Sequence, residues 1–369
     1  MFPLRKGIAQ RRLSLLMALV LLLMAAFAFT PVLQPAQAAD PVAAAGGSSG
    51  GGGGVTHYSF AGGNGTSADP FIIATSEQLA QLASEVNSGT VSSEVYYYRL
   101  GNTIDLSSPI NYSSGQGWIP IGTGDNPFRG HFDGAGYTIS GLFINTPDID
   151  YVGLFGYISG STAAVKNLNV SVTNVVGGYS VGGVAGCIDG GSVTDCTVTG
   201  PISGVAGVGG IAGDVLDGSV ANCDVTGTVS GTDIFLGGVA GYVDGGSVTN
   251  CTVTGPISGR ADVGGIAGCV LYGSVTNCNV NGAVSGTDAF IGGVAGEAVY
   301  TDVTSCNITG PVTGVYVVGG VAAEVFSGSV TNCYVSGAVK SASVVSDLGY
   351  DASYVGGVAG EVFGANVSG

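Results

Sequence analysis

The stretch "LGGVAGYVDGGSVTNCTVTGPISG" at residues 236–259 is one complete unit of a pattern that fills the chain from residue 152 onward. Its opening recurs as VGLFG at 152–156, VGGVAG at 181–186, VGGIAG at 208–213, VGGIAG at 263–268, IGGVAG at 291–296, VGGVAA at 318–323 and VGGVAG at 355–360. Successive starts lie 29, 27, 28, 27, 28, 27 and 37 residues apart. The alternation of 27 and 28 makes a double repeat of 55 residues, with TGPISG in one half and GTVSGTD in the other; the long step holds an insertion near 341–351. A period of this size means a solenoid, a propeller or an array, and propeller blades need about 40 residues or more. Leucine-rich repeats need leucines that are absent here, and helical repeats need helix formers, whereas these units are glycine-rich and β-branched. What remains is one short, strand-rich coil per repeat: an all-β parallel β-helix.

Within a coil the inside and outside can be assigned. The column Ile188, Val215, Val243, Val270, Ala298, Val325 and Val362 is apolar and should point inward. The column before it, Cys187, Asp214, Tyr242, Cys269, Glu297, Glu324 and Glu361, is mixed and mostly polar, and is expected to face solvent. On that expectation Cys187 and Cys269 are candidates for intermolecular linkage. In V-T-N-C-T-V-T, two residues separate Val248 from Cys251 where strict alternation allows one, so the chain should turn a corner at Asn250. The corner column is Asp195, Asn222, Asn250, Asn277, Ser305 and Asn332. Asparagine tolerates the left-handed conformation, and stacked coils would bring these side chains about 4.8 Å apart, so a corner ladder of Asp195, Asn222, Asn250, Asn277 and Asn332 is expected. Cys196, Cys223, Cys251, Cys278, Cys306 and Cys333 follow the corner and point in. A single file offers no tetrahedron and the repeats hold no histidine, so metal is disfavoured. Parallel Cβ vectors about 4.8 Å apart do not suit disulfides. The column is read as buried free thiols acting as small hydrophobes.

The first 38 residues read as a secretory signal peptide: Arg5, Lys6, Arg11 and Arg12 precede an apolar run from Leu13 to Phe29, and Ala36-Gln37-Ala38 suits cleavage before Ala39. No later stretch is apolar enough to span a membrane, so the mature chain is expected to be secreted or held at the cell surface. It would carry five basic and 25 acidic groups, a net charge of −20, which excludes nucleic acid and anionic lipid as natural partners. Residues 39–56 form a Gly/Ser-rich linker. Residues 57–151 form a separate N-terminal module with a helix over 75–88, announced by the capping box Thr75-x-x-Gln78, the stripe Leu79, Leu82, Ala83 and Val86, and Gly89 at its end. Short strands follow at 96–100, 103–106, 118–122, 128–132 and 137–144. The last coil breaks off before its corner, which implies that the chain continues or that its end is covered.

The VGLFG and VGGVAG strings, together with GGNGTSADPFIIATSEQLAQLA (62–83), YYYRLGNTIDLSS (96–108), WIPIG (118–122) and FRGHFDGAGYTISGLFI (128–144), resemble the secreted GLUG-repeat proteins of bacteria. The resemblance implies a right-handed β-helix with the helix near its N-terminal end, and a surface or secreted location. GLUG repeats also accompany some IgA-cleaving metallopeptidases, which need H-E-x-x-H; the chain has only His57 and His131.

Three function classes are weighed on these residues. A structural or adhesive surface rod, presenting stacked faces to polysaccharide or host and cell-surface molecules, follows most directly from the repeat. A polysaccharide lyase or hydrolase would need paired carboxylates; Asp125, Asp133, Asp148 and Asp150, beside Arg129 and His131, are the nearest set, although Asp133-Gly134 looks like a turn. Ice binding would use the outward pairs Thr197/Thr199 and Thr252/Thr254, interrupted by Asp224/Thr226 and Asn279/Asn281. Calcium would be read from Asp189, Asp217 and Asp244, but the G-G-x-G-x-D nonapeptide is missing. No catalytic, cofactor or metal residue is assigned.

Overall fold

The computed structural model describes residues 60–91, 95–107, 115–342 and 354–368, all within one compact unit spanning 53–369. The segments expected to be a signal peptide and a linker, and most of the 341–351 insertion, lie outside the described residues. The chain winds as a parallel β-helix of four sheets, with 11, 8, 15 and 7 strands. One coil shows the route. It runs through Leu236–Gly237 in the seven-stranded sheet, Ala240–Asp244 in the eight-stranded sheet and Ser247–Thr249 in the eleven-stranded sheet. Thr252–Val253 and Ile257–Gly259 then close it in the fifteen-stranded sheet. Each strand pairs in parallel with its counterpart one coil away: Val243 faces Val215 and Val270, and Val248 faces Val220 and Val275.

The core is a stack of identical layers. Ile188, Val215, Val243, Val270, Ala298 and Val325 are fully buried, as is the rank Val193, Val220, Val248, Val275 and Val303. Glycines let the chain turn tightly inside this stack. A Cβ on Gly237 would lie 1.9 Å from Ala240 O, and one on Gly238 would lie 2.2 Å from Gly265 O in the next coil. The first G of each G-G makes the bend, and the second lets neighbouring coils touch.

The N-terminal module is wider, and aromatic residues fill it. Phe71, Tyr98, Phe128, Phe132 and Phe155 pack ring against ring, with Trp118 donating its indole N–H to Leu154 O at 3.0 Å. The helix runs Ser76–Asn87 and buries Leu79, Leu82, Ala83 and Val86. Thr75 Oγ1 accepts from Gln78 N, the first arm of the capping box, and Gln78 Oε1 reaches back to accept from Ala74 N at 2.7 Å, one residue before the cap. Asn87 then ties the helix to the stack, donating to Pro120 O and accepting from Gly122 N.

One expectation is overturned. The column expected to face solvent is largely buried: Cys187 is 0 %, Tyr242 7 %, Cys269 2 % and Glu297 2 % exposed. Its cover is a second column, Tyr151, Ser180, Gly207, Phe235, Asp262 and Phe290, all with positive φ. From Ser180 on, each lies in or just before a strand of the seven-stranded sheet, and Tyr151 precedes Val152, which bridges to Val181 in that sheet; each leans over the next coil. A Cβ on Gly186 would fall 2.5 Å from Tyr151 Cα, on Gly213 2.5 Å from Ser180 Cα, and on Gly268 2.6 Å from Phe235 Cα. The last glycine of VGGVAG is therefore the clearance for a roof. Strand alternation assigns a residue to the outer side of its own sheet, but it cannot show that another part of the helix covers that side. Cys187 and Cys269, beneath the roof, are not placed to bridge to another molecule.

Candidate functional site: a groove along the helix

The turns between the eight- and eleven-stranded sheets stack into a polar groove of about 480 Å³. Its floor is the glycine rank Gly191, Gly218, Gly246 and Gly273, and one wall is the serine rank Ser192, Ser219, Ser247 and Ser274. The register Ser192↔Ser219↔Ser247↔Ser274 keeps these hydroxyls in line, one per coil and about 4.8 Å apart. The other wall is formed by the left-handed turn residues Gly190, Asp217, Gly245 and Tyr272. Beyond Tyr272 the turn column continues with Tyr300. The two rings are stacked, centroids 5.1 Å apart and planes 10° apart, while 53 % and 43 % exposed. Phe326 meets Tyr300 edge-on at 5.6 Å.

An exposed aromatic residue in a left-handed turn is unusual. Here stacking and the repeat hold it. The same position carries glycine in two earlier coils, at Gly190 and Gly245, so the tyrosines are additions to the frame rather than parts of it. Beside the serine rank runs a second rank, Thr194, Ala221, Thr249, Thr276, Thr304 and Thr331, in register on the eleven-stranded sheet. The pair S-x-T forms the more regular hydroxyl face of the molecule, and the sequence reading passed over it in favour of C-T-V-T. Thr197, Thr199 and Thr252 are half-buried and Thr254 is exposed, on the outer side of the fifteen-stranded sheet. Their rank is broken in register: Thr197 pairs with Asp224, Asp224 with Thr252, and Thr252 with Asn279. The signal that would have found the serine and threonine ranks is the recurrence of G-S-V-T itself.

The corner residues Asp195, Asn222, Asn250, Asn277, Ser305 and Asn332 all have φ between 54° and 57°. Amide bonds link four of them: Asn222 Nδ2 donates to Asp195 Oδ1 at 3.0 Å, Asn250 to Asn222 at 3.0 Å and Asn277 to Asn250 at 2.7 Å. An earlier segment consists of Asn167 donating to Asp133 at 3.0 Å. Every donor lies one coil later than its acceptor, and each segment opens on an aspartate, which only accepts. Cys196, Cys223, Cys251, Cys278 and Cys306 are buried and Cys333 is half-buried, all as free thiols. Their Sγ atoms point at carbonyls two residues back, as in Cys251 to Thr249 O at 3.4 Å.

The carboxylates considered for hydrolysis are not assembled as an acid and base pair. Asp133 accepts from Ala135 N and Asn167, holding the turn. Asp150 accepts from Tyr179 N at 2.9 Å, and partial burial raises its pKa. Asp125 and Asp148 are exposed. His131 stacks on Tyr97 at 4.2 Å, and burial with Lys166 nearby lowers its pKa. Asp133 and Asp195 do share a second groove with Arg99, of about 490 Å³. Among the described residues no three His, Cys, Asp or Glu side chains gather as a metal site, and no helix is long and apolar enough to cross a membrane.

The geometry defines a parallel β-solenoid with glycine-paced coils. The GLUG motif matches residues 177–203, 236–258 and 259–285, so the parallel β-helix carries GLUG repeats in these coils. Over 112 residues it is 40 % identical to a candidate Gly-rich membrane protein of Evansella cellulosilytica, a match covering 30 % of this chain and 12 % of that one. Over 149 residues it is 35 % identical to halomucin of Haloquadratum walsbyi, covering 38 % of this chain and 2 % of that one. The chain thus spans a small part of each relative. Among solved structures, a candidate immunoglobulin A1 protease from Bacteroides ovatus superposes with a TM-score of 0.55 at 21 % identity, covering 83 % of this chain and 86 % of that one. At that identity the likeness is one of fold.

Proposed function

We propose that the protein is a non-catalytic rod at the cell surface or outside the cell, and that its groove binds a linear, uncharged stretch of polysaccharide. The observation that carries this reading is the stacked, exposed pair Tyr272 and Tyr300 at the end of a groove walled by in-register serines. Aromatic faces take the apolar side of a sugar ring, and aligned hydroxyls take its edge. One hydroxyl per coil, about every 4.8 Å, suits a repeating ligand better than a small molecule. The acidic surface favours a neutral glycan over an anionic one. Two relatives named as a membrane protein and a halomucin support a surface or extracellular setting.

The test is affinity electrophoresis and calorimetry against a panel of neutral and acidic polysaccharides. Retardation by at least one neutral polymer is expected, with Tyr272→Ala and Tyr300→Ala each weakening it about tenfold or more. Equal binding by wild type and the double alanine variant would remove the groove from the function. Release of reducing ends or unsaturated sugars would place the protein among enzymes.

A further inference from the structure

The roof over the eight-stranded sheet does more than hide apolar side chains. In the coils from 262 to 326 it closes on carboxyl groups. Cys269, Glu297, Glu324 and Glu361 stand in one rank, each in register with the next, so adjacent glutamates sit about one strand spacing, ~4.8 Å, apart. Asp262 leans over this rank from the coil before: a Cβ on Gly296 would lie 2.7 Å from its carbonyl carbon. Asp262 is 6 % and Glu297 2 % exposed, and Asp262 Oδ1 is buried without a hydrogen-bond partner. Cys269 Sγ lies 4.0 Å from Glu297 Oε2. Arg260, the nearby cation, is spent at the exposed rim, where it pairs with Asp233 and Asp288.

Asp262 and Glu297 cannot both ionise freely in such a place. Desolvation penalises each charge, and each raises the energy of the other. Arg260, Asp233 and Asp288 from the loops and Glu324 from the sheet bear on Asp262, and Asp262 and Glu324 bear on Glu297; Cys269 lies alongside, its thiol raised by burial and by Glu297, Asp262, Asp244 and Glu324. All but Arg260 disfavour negative charge. Burial, eased by Arg260 and then raised again by Glu324, lifts Asp262 to about 7, and burial with Asp262 lifts Glu297 well above the carboxylate range. The same roof acts once more at Asp214, which accepts from Ser180 Oγ at 2.5 Å and is lifted by burial to about 7.

We propose that Asp262 and Glu297, beside Glu324 in the same rank, form a proton-binding cluster that locks these coils together in acid and lets them loosen as the pH rises. A folded-state pKa raised above the unfolded value means that the folded coils hold protons the unfolded chain releases. For Asp262 the stabilising effect is whole below the ordinary carboxylate value near 4 and is lost as the pH climbs to about 7. The cluster has a mechanical outlet. Leu271 and Val299 end the strands that carry Cys269 and Glu297, and the next residues are Tyr272 and Tyr300. That link to ligand grip rests on the groove reading; the proton cluster does not.

The experiment is hydrogen exchange with mass spectrometry on the full chain, corrected for intrinsic rates, together with thermal melting from pH 5 to pH 8. In wild type, protection of 295–299 and 322–326 should fall with pH and Tm should drop by roughly 5–10 °C. Glu297→Gln, and Asp262→Asn with it, should flatten the exchange profile of these strands and shrink the Tm drop to the part that Asp214 retains, while Asp302→Asn, outside the cluster, should change neither. Infrared spectra should show a protonated carboxyl band near neutral pH that Glu297→Gln weakens, Asp262 and Asp214 keeping the remainder, a readout available even if the double variant folds poorly. A flat wild-type profile, or no such band, overturns the proposal. So does a calcium-dependent rise in Tm that Glu297→Gln abolishes, since the cluster would then hold a cation. Glycan binding is measured separately, so loss of the groove reading leaves these outcomes intact.

Discussion

At Asn250 two demands meet in one side chain. The corner needs a positive φ of 56°, and the ladder needs a donor toward Asn222 and an acceptor for Asn277. Alanine satisfies neither. Asn250→Ala should lower stability by about 2–3 kcal/mol, the sum of left-handed strain and two exposed amide bonds. Asn250→Gly should restore the backbone part and lose about 1 kcal/mol. Urea unfolding separates them, and equal losses in both would show that φ does not matter there. This corner was legible in the sequence because a missing alternation and a repeated asparagine mark it together. Asn167 was not, since it lies in a less regular coil with Ala135 before it at the corner. The tyrosine pair escaped notice for a related reason: Tyr272 and Tyr300 stand where other coils carry glycine or aspartate, and a reading built on column averages discards the exceptions.

The element that the sequence describes best is the inward face of each strand, because apolar columns recur without a break from Ile188 to Val325. The outward face of the eight-stranded sheet was misread, and the cause is tertiary. Its cover comes from residues about 35 positions earlier, such as Asp262 over Glu297, and no local pattern announces them. The glycines under the roof are the test. A Cβ on Gly268 would stand 2.4 Å from Leu236 N and 2.5 Å from Phe235 C, both backbone atoms that cannot rotate away. Gly268→Val should therefore destabilise the protein by about 3 kcal/mol or more, in the upper range of overpacking. Gly124→Val, where a Cβ would meet nothing within 4 Å, should change melting little.

At the scale of the whole molecule, stability is shared between neighbours, and the N-terminal module differs from the rest. It holds the large aromatic side chains and the helix, whereas the later coils bury mainly valine, isoleucine, alanine and cysteine. In a quasi-one-dimensional stack each unit leans on the one before it. Deleting residues 287–369 should leave the remaining coils folded by circular dichroism and proteolysis, while deleting 60–151 should abolish cooperative folding. Equal tolerance of both would show that the coils are self-sufficient.

The polarity of the corner ladder bears on how such a stack is made. Every amide donor belongs to a later coil and every acceptor to an earlier one. A finished coil therefore presents fixed acceptors to the coil that follows it. Each new turn can then be moulded on the last, with no waiting for distant sequence. Asp133 and Asp195, which only accept, open the two segments of the ladder.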